Sequence, residues 1–176
     1  GLTFTVDEYE ETWRRLCTPD GRIRLAVPEL LQELRALREE DPRRRDTAFP
    51  FVLSAGERRT STANTIFRDP AWRKKDPSGA LRMSPADAER LGVATGGRVR
   101  LTTKRASVET TVEVTDTLQP GHVSLPNGQG VFYPDEAGRP IVHGVPPNEL
   151  TASEDRDRIA GTPWHKHVPA RIEPLP

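Results

Sequence analysis

The chain has 176 residues, and its 26 lysine and arginine residues equal its 26 aspartate and glutamate residues, so the formal net charge is zero. The length allows one medium domain with a hydrophobic core and an appendage, whereas the charge balance argues against a general polyanion-binding surface and against nucleic acid as the partner. No apolar run approaches the length of a membrane-spanning helix, and the start lacks a basic, apolar and small-residue signal pattern, so we expect no membrane segment.

Two features indicate how the chain is used. It begins at Gly1, and its sole methionine is Met83, so we interpret it as a piece of a longer polypeptide whose active site lies elsewhere. Its one cysteine, Cys17, excludes an internal disulfide and a cysteine-based metal site, and we interpret it as an inert thiol. A cytoplasmic location is the expectation that fits this cysteine usage.

Residues 1 to 46 have the pattern of two short helices. A first helix is predicted from about 8 to 16, where apolar residues recur at helical spacing. A second is predicted to start at Pro28, a favoured first helical residue, and it buries a leucine stripe on the following domain or on missing parts of the parent chain. That stripe consists of Leu30, Leu31, Leu34 and Leu37. We interpret the polar segment 41–46 as a solvated linker, which gives a helical run-in at 1–46 and a second domain at 47–176.

The stretch from Phe49 to Asn64 is predicted to combine a buried strand with a polar loop. Phe51-Val52-Leu53 is the apolar run, and the small residues from Ser54 to Gly56 are predicted to end it. The following residues offer guanidinium, hydroxyl and amide groups, which suit hydrogen bonds to phosphates and heterocycle edges. These residues are Arg58, Arg59, Thr60, Ser61, Thr62, Asn64 and Thr65.

After residue 79 the pattern is mainly β. The predicted elements are a brief strand at 81–83, a helix at 85–91, a hairpin of strands at 98–103 and 108–115, a strand at 122–125, an extended piece at 141–142 and a closing strand near 168–172. The helix has explicit end signals, with Ser84 as the N-cap, Pro85 in its first turn and Gly92 at its carboxyl end. The loops between these strands are rich in proline, glycine and asparagine, and Asn148 lies in the one before Leu150.

In this order, the motifs resemble the carboxyl-terminal cofactor-binding domain of molybdopterin oxidoreductases of the dimethyl sulfoxide reductase type, which includes formate dehydrogenases and nitrate reductases. The likeness extends over nearly everything from Phe49 to the end. The matching stretches are Leu53-Ser54-Ala55-Gly56-Glu57-Arg58-Arg59 through Asn64-Thr65, Ser84 to Val93, Gly97-Arg98-Val99-Arg100-Leu101, Pro120-Gly121-His122-Val123 and Asn148-Glu149-Leu150-Thr151. Where many relatives have a histidine in the first loop, this chain has Asn64.

The resemblance implies a mainly β fold with short helices, namely a six-stranded double-psi β-barrel behind the helical run-in. It implies that the barrel binds bis(molybdopterin guanine dinucleotide) with molybdenum or tungsten, together with the rest of the parent oxidoreductase. On this view the isolated domain is inactive, because the iron–sulfur motif and metal ligand belong to other parts of the parent enzyme. The resemblance assigns cofactor contact to Gly56, Arg58, Arg59, Thr60, Asn64 and Asn148.

Two other functions remain open at this stage. The barrel could be a structural or protein-interaction module without a cofactor, in which the leucine helix docks a partner. It could also be a free-standing barrel enzyme, although the sequence shows no credible nucleophile and base. His165 and His167 share a face of any strand but lack further ligands at good spacing, so we predict no metal site and no catalytic residue.

Overall fold

The computed structural model describes residues 8–39, 46–59 and 79–176. The chain divides into two compact units, Gly1–Glu40 and Asp41–Pro176. In the described ranges, none of the helices combines the length and the apolar character needed to cross a membrane.

The first unit contains two short helices, α1 (Tyr9–Arg14) and α2 (Pro28–Ala36). Both lie where the sequence predicts them, and Pro28 occupies the first turn of α2. Among the described residues of this unit, neither helix has a buried side chain. The leucines of α2 are accordingly exposed, so the packing of their stripe on the following domain or on missing parts of the parent chain stays a prediction.

The second unit is mainly β, as predicted. Its described elements are β1 (Phe51–Glu57), β2 (Leu81–Met83), α3 (Pro85–Leu91), β3 (Arg98–Thr103), β4 (Ser107–Val114), β5 (His122–Pro126), β6 (Val131–Pro134), β7 (Pro140–His143), a 3-10 helix (Pro147–Glu149) and β8 (Val168–Pro174). Among these, six strands close into a barrel in the order β1-β5-β2-β4-β3-β8, and β6 pairs with β7 as a separate hairpin.

The barrel contains two parallel strand pairs, β1 with β5 and β2 with β4. Parallel neighbours cannot be joined by a tight turn, so each pair requires the chain to cross over between its strands. The other neighbouring pairs in the barrel, such as β3 with β4 and β1 with β8, are antiparallel. This closed, six-stranded arrangement with interleaved parallel pairs is the predicted double-psi β-barrel.

The core lies inside the barrel because alternate residues of each strand point inward. In β1, Phe51, Leu53 and Ala55 are buried, while Val52 and Ser54 between them are only partly so. The remaining buried apolar residues of the cluster are Leu81, Met83, Ala88, Val99, Leu101, Val112, Val123, Leu125, Val145, Leu150, Val168, Ala170 and Ile172. Because every barrel strand contributes buried residues to this core, the strand ends are rigid supports for the loops that leave them.

Helix α3 confirms the predicted capping. The Ser84 hydroxyl accepts a hydrogen bond from the Asp87 amide at 3.2 Å, and the helix ends at Gly92 with a φ of 68°. The Asp87 carboxylate also accepts the Gly121 amide at 2.7 Å. This bond joins α3 to the turn before β5.

The structure corrects two details of the sequence prediction. Strand β1 does not end at the small residues but continues through Gly56 to Glu57, because its parallel pairing with β5 persists past a register shift between Ala55 and Glu57. Strand β6 was not predicted, because its sequence, Val131–Pro134, is short and ends in proline. The extended piece at 141–142 is its partner strand, β7.

Candidate functional site

The candidate site begins at the carboxyl ends of β1 and β5, which are parallel and therefore finish at the same end of the barrel. Gly56 lies at the register shift near the end of β1, and Asn127 follows the last residue of β5. The backbone N–H of Asn127 donates a hydrogen bond to the backbone carbonyl of Glu57 at 2.9 Å. The main chain on both sides of the site is thus fixed by strand pairing.

Gly56 lets a neighbouring side chain lie close to the backbone of β1. Its φ of 93° is one that residues with a Cβ rarely adopt, and a Cβ placed there would collide with the Asn127 side chain. Its carbonyl accepts a hydrogen bond from the Lys166 ammonium group at 2.8 Å. The backbone conformation therefore favours glycine here, the nearby Asn127 side chain adds to that preference, and the hydrogen bond places Lys166 beside β1.

Arg58 and Lys166 supply positive charge next to Gly56. Both side chains are exposed. Within the described part of the chain, neither forms an ion pair with a carboxylate. Two exposed cations at one strand end can attract and bind an anionic group such as a phosphate.

Arg59 is placed differently from its neighbour. The residue is 8% exposed, and each of its three side-chain nitrogens donates a hydrogen bond inside the protein. The Nε atom donates to Glu57 at 2.8 Å, one Nη to the Ala80 carbonyl at 2.9 Å and the other to the Ser124 carbonyl at 3.1 Å. Direct contact between Arg59 and a cofactor stays a prediction, and the observed geometry ties β1, β5 and the approach to β2 together.

Arg59 belongs to a cluster of four charged groups. The two Glu57 oxygens accept from Arg59 and from Arg82, the latter at 3.1 Å, and Arg82 also donates to Glu113 at 3.1 Å. Burial acts to raise the pKa of the Glu57 carboxyl group. Hydrogen bonds from Ser124 and Arg59, followed by the guanidinium charges, outweigh burial and lower that pKa below its ordinary value. Glu57 is therefore an anion at neutral pH, and the two positive and two negative charges balance.

Gln129 joins three parts of the chain near this cluster. Its side chain is 5% exposed. A Cβ on Gly79 would lie 2.6 Å from the Gln129 Cγ atom, and one on Gly144 would lie 2.6 Å from its Oε1 atom. Only residues without a side chain leave room for the glutamine at these two positions. Gln129 thus packs between the residue that precedes Ala80 and the residue that follows β7.

Asn148 lies in the 3-10 helix, which contacts β1. Its side chain is exposed. Leu150, directly after this helix, is 1% exposed, and the Leu150 carbonyl accepts the Thr103 hydroxyl at 3.0 Å. At the other side, Pro146 packs against Gly130, which has no room for a Cβ. The exposed asparagine is therefore carried by a segment that is anchored at both ends.

Three of the six predicted contact residues lie in β1, next to it or on a segment that contacts it. Gly56 and Arg58 lie at its end, and the segment that carries Asn148 packs against it. Arg59 is also present, but with its side chain turned into the protein. Thr60 and Asn64 lie outside the described residues, so their role stays a prediction.

Sequence reasoning missed four residues that shape the site. Glu57, Ser124, Gln129 and Lys166 have no signal in their own neighbourhood, because each acts on a partner distant in sequence. The glycines on both sides of Gln129 were the one available hint, since glycine often marks a close approach of two chain segments. Lys166 lies between His165 and His167, and its local sequence gives no sign of its contact with Gly56, 110 positions away.

Away from the candidate site, a cleft of about 680 Å³ contains none of the predicted contact residues. It is lined by Val52, Gly121 and His122 from the amino ends of β1 and β5, and by Asp87 and Arg90 from α3. Asp87 is committed to Ser84, Arg90 and the Gly121 amide. The cleft therefore lies near the opposite strand ends from Gly56, and Asp87 in its lining already has partners.

Comparison with known proteins adds independent findings. Residues 51–169 match the family model described as the molydopterin dinucleotide binding domain. The probable oxidoreductase YoaE of Bacillus subtilis is 26% identical over 137 residues, which cover 77% of this chain and 20% of that protein. Dimethyl sulfoxide reductase DmsA of Escherichia coli is 31% identical over 86 residues, covering 49% of this chain and 10% of that protein.

Among solved structures, acetylene hydratase from Pelobacter acetylenicus superposes with a TM-score of 0.59 at 16% identity, covering 73% of this chain and 19% of that one. This likeness supports the fold alone. The chain spans about a fifth or less of the length of these relatives. Because the family model matches most of the chain and extends from the first barrel strand into the last, this protein belongs to the molydopterin dinucleotide binding domain family of molybdoenzymes.

Proposed function

We propose that this chain is the cofactor-binding domain of a molybdenum or tungsten oxidoreductase and binds bis(molybdopterin guanine dinucleotide). The family supports a molybdopterin dinucleotide as the ligand. The names of two relatives, a probable oxidoreductase and a dimethyl sulfoxide reductase, support an oxidoreductase as the parent protein. A formate dehydrogenase-like or nitrate reductase-like parent is the finer part of the proposal.

The observation that supports this function most is the arrangement at the end of β1. Gly56 is a buried glycine with a positive φ and a side chain packed close to its backbone, and the exposed cations Arg58 and Lys166 adjoin it. A dinucleotide has a pyrophosphate that requires cations and close backbone approach, and a heterocycle edge that an asparagine amide can match. The chemistry of these residues therefore fits the proposed ligand.

In this proposal the chain's own residues bind and orient the ligand. Arg58 and Lys166 bind phosphate oxygens, Gly56 allows close approach, and Asn148 donates to and accepts from a ring edge. Thr60 and Asn64 are proposed contacts on the strength of the resemblance. The bound cofactor would supply the redox chemistry through its metal, so the isolated domain is proposed to be inactive. The rest of the parent chain is the proposed partner, and the proposed location is the cytoplasm.

The test is a titration of the purified chain with guanosine diphosphate and, separately, with molybdopterin cofactor extracted from a molybdoenzyme. We expect saturable binding of both, weaker for the nucleotide, and weaker still for adenosine diphosphate. Isothermal calorimetry gives the dissociation constants, and phosphorus NMR reports whether the phosphates are the groups in contact. Absence of binding for both ligands would refute the proposed function and favour a structural or protein-interaction barrel.

A further inference from the structure

The two adjacent arginines at the end of β1 have different surroundings. Arg58 is exposed, whereas Arg59 is buried and donates from all three of its side-chain nitrogens to protein groups. We propose that Arg59 is a positioning residue of the cofactor site, and that Arg58 is the arginine that meets the phosphate. This inference rests on the proposed function and divides a role that the sequence assigns equally to both residues.

The geometry of the Arg59 contacts supports a positioning role. Its acceptors are Glu57 at the end of β1, the carbonyl of Ala80 before β2 and the carbonyl of Ser124 in β5. A planar guanidinium fork can reach three acceptors in fixed directions at once, which a lysine ammonium group on a flexible stem cannot do. One side chain therefore fixes three segments that are separate in sequence.

The charges around Arg59 also favour a positioning role for this residue. The carboxylates of Glu57 and Glu113 match the guanidinium groups of Arg59 and Arg82. A phosphate that approached Arg59 would have to compete with a carboxylate already 2.8 Å from its Nε atom. Arg58 has no such competitor among the described residues. A phosphate therefore gains more from Arg58 than from Arg59.

The hydrogen bond from Arg59 to Glu57 also orders the backbone beside the proposed ligand site. Glu57 lies between Gly56 and Arg58, so fixing its side chain limits the freedom of both neighbours. Its carbonyl accepts the Asn127 amide, and the carbonyl of Gly56 accepts Lys166. A site that is already ordered before binding loses less conformational entropy when the ligand arrives. Arg59 thus acts on the ligand through Gly56 and Arg58.

The first experiment uses the unmodified 176-residue chain and observes the arginine Nε–H groups by NMR. We expect the Arg59 Nε–H signal to be protected from exchange with water before any ligand is added, because it donates to Glu57 at 2.8 Å. On addition of guanosine diphosphate, the Arg58 signal should shift while the Arg59 signal stays in place. A large shift of the Arg59 signal with none at Arg58 would overturn the assignment.

The second experiment compares dissociation constants for guanosine diphosphate among variants. With Arg58→Lys, affinity should stay within about threefold, because a lysine ammonium group also binds a phosphate as a point charge. With Arg58→Gln, affinity should fall about tenfold and the salt dependence of binding should become shallower. With Arg59→Lys affinity should fall about tenfold although the charge is kept. The matched control is Arg100→Met, an exposed arginine paired with Glu109, which should leave affinity unchanged.

The results separate this inference from the proposed function. Failure of the unmodified chain to bind either ligand refutes the proposed function. An Arg59 Nε–H group that exchanges as fast as that of Arg58 refutes the positioning role, whether or not the nucleotide binds. Affinity of Arg59→Lys equal to that of the unmodified chain, with a shallower salt dependence for Arg59→Met, would show that Arg59 contacts the phosphate directly.

Discussion

Replacing Glu57 with glutamine tests whether the four-charge cluster at the end of β1 stabilises the barrel. Glutamine keeps the shape of the side chain and one acceptor oxygen but removes the negative charge. The Glu57 side chain is 30% exposed, whereas that of Arg59 is 3% exposed, so the substitution removes the nearer of the two carboxylates beside a nearly buried guanidinium and leaves Glu113 at 3.8 Å. Breaking a fully buried ion pair costs about 3–5 kcal/mol. Since Arg59 keeps two carbonyl acceptors and glutamine keeps one oxygen, we expect a loss of about 2–3 kcal/mol.

The assay is urea-induced unfolding, followed by near-ultraviolet circular dichroism at pH 7. Urea is preferred because guanidinium chloride would screen the charges in question. The control is Glu109→Gln on the barrel surface. Glu109 also binds two arginines, Arg98 at 2.6 Å and Arg100 at 3.2 Å, but its side chain is 45% exposed. Exposed pairs of this kind contribute about 0–1 kcal/mol, so the control should lose far less stability.

The pH dependence gives the sharper test. The pKa of Glu57 is lower in the folded protein than in the unfolded chain, so its contribution is fully present above the unfolded pKa and is lost as the pH falls through the folded pKa. The difference in unfolding free energy between the unmodified chain and Glu57→Gln should therefore be constant from pH 7 down to about pH 5 and shrink below it. A difference that stays the same at pH 3.5 would show that charge is not the cause. Equal losses for Glu57→Gln and Glu109→Gln at pH 7 would also refute the reasoning.

Three further predictions follow from single contacts. Gly56→Ala should lose about 2–3 kcal/mol of unfolding free energy through strain at φ 93° and the collision with Asn127. The control Gly121→Ala, at φ 85° but with no atom near its Cβ, should lose about 1 kcal/mol. Urea unfolding compares the two variants, and equal losses would contradict the role of Asn127. Asn148→Ala should change stability by less than about 0.5 kcal/mol because the side chain is exposed, yet weaken guanosine diphosphate binding several-fold by calorimetry; unchanged affinity would remove Asn148 from the site. Ser84→Ala should lower unfolding free energy by about 1–2 kcal/mol in thermal or urea unfolding because the α3 cap and the bond to Asp87 are both lost, and an unchanged midpoint would show that the cap is dispensable.

The parts of the fold that could be predicted are those encoded by neighbouring residues. Helix α3 has its cap at Ser84 and its carboxyl-terminal glycine within nine residues, and β3 alternates between exposed and buried positions from Arg98 to Leu101. The extension of β1 to Glu57 could not be predicted locally. It depends on pairing with β5, whose residues are more than 60 positions away in the sequence.

The candidate site was predicted by residue type but not by orientation. Adjacent arginines have the same local signal, so the sequence assigned phosphate binding to both Arg58 and Arg59. Their difference depends on the carbonyl of Ser124 and the carboxylate of Glu57, which the barrel brings to Arg59 and not to Arg58. Lys166 was missed for the same reason, since its contact with Gly56 spans 110 positions.

Under the proposed function, the long-range contacts explain how a barrel end with paired carboxylates can offer a site for an anion. Glu57 and Glu113 would repel a phosphate if their charges faced it alone. Arg59 and Arg82 neutralise them within the cluster, so no acid of the described residues pairs with Arg58 or Lys166 beside Gly56. The same carboxylates hold the guanidinium groups that order the strand ends, and rigidity and a positive surface therefore arise from one arrangement. Removing a carboxylate would add positive charge locally and yet disorder the backbone, so Glu57→Gln is expected to weaken ligand binding even though it makes the site more cationic.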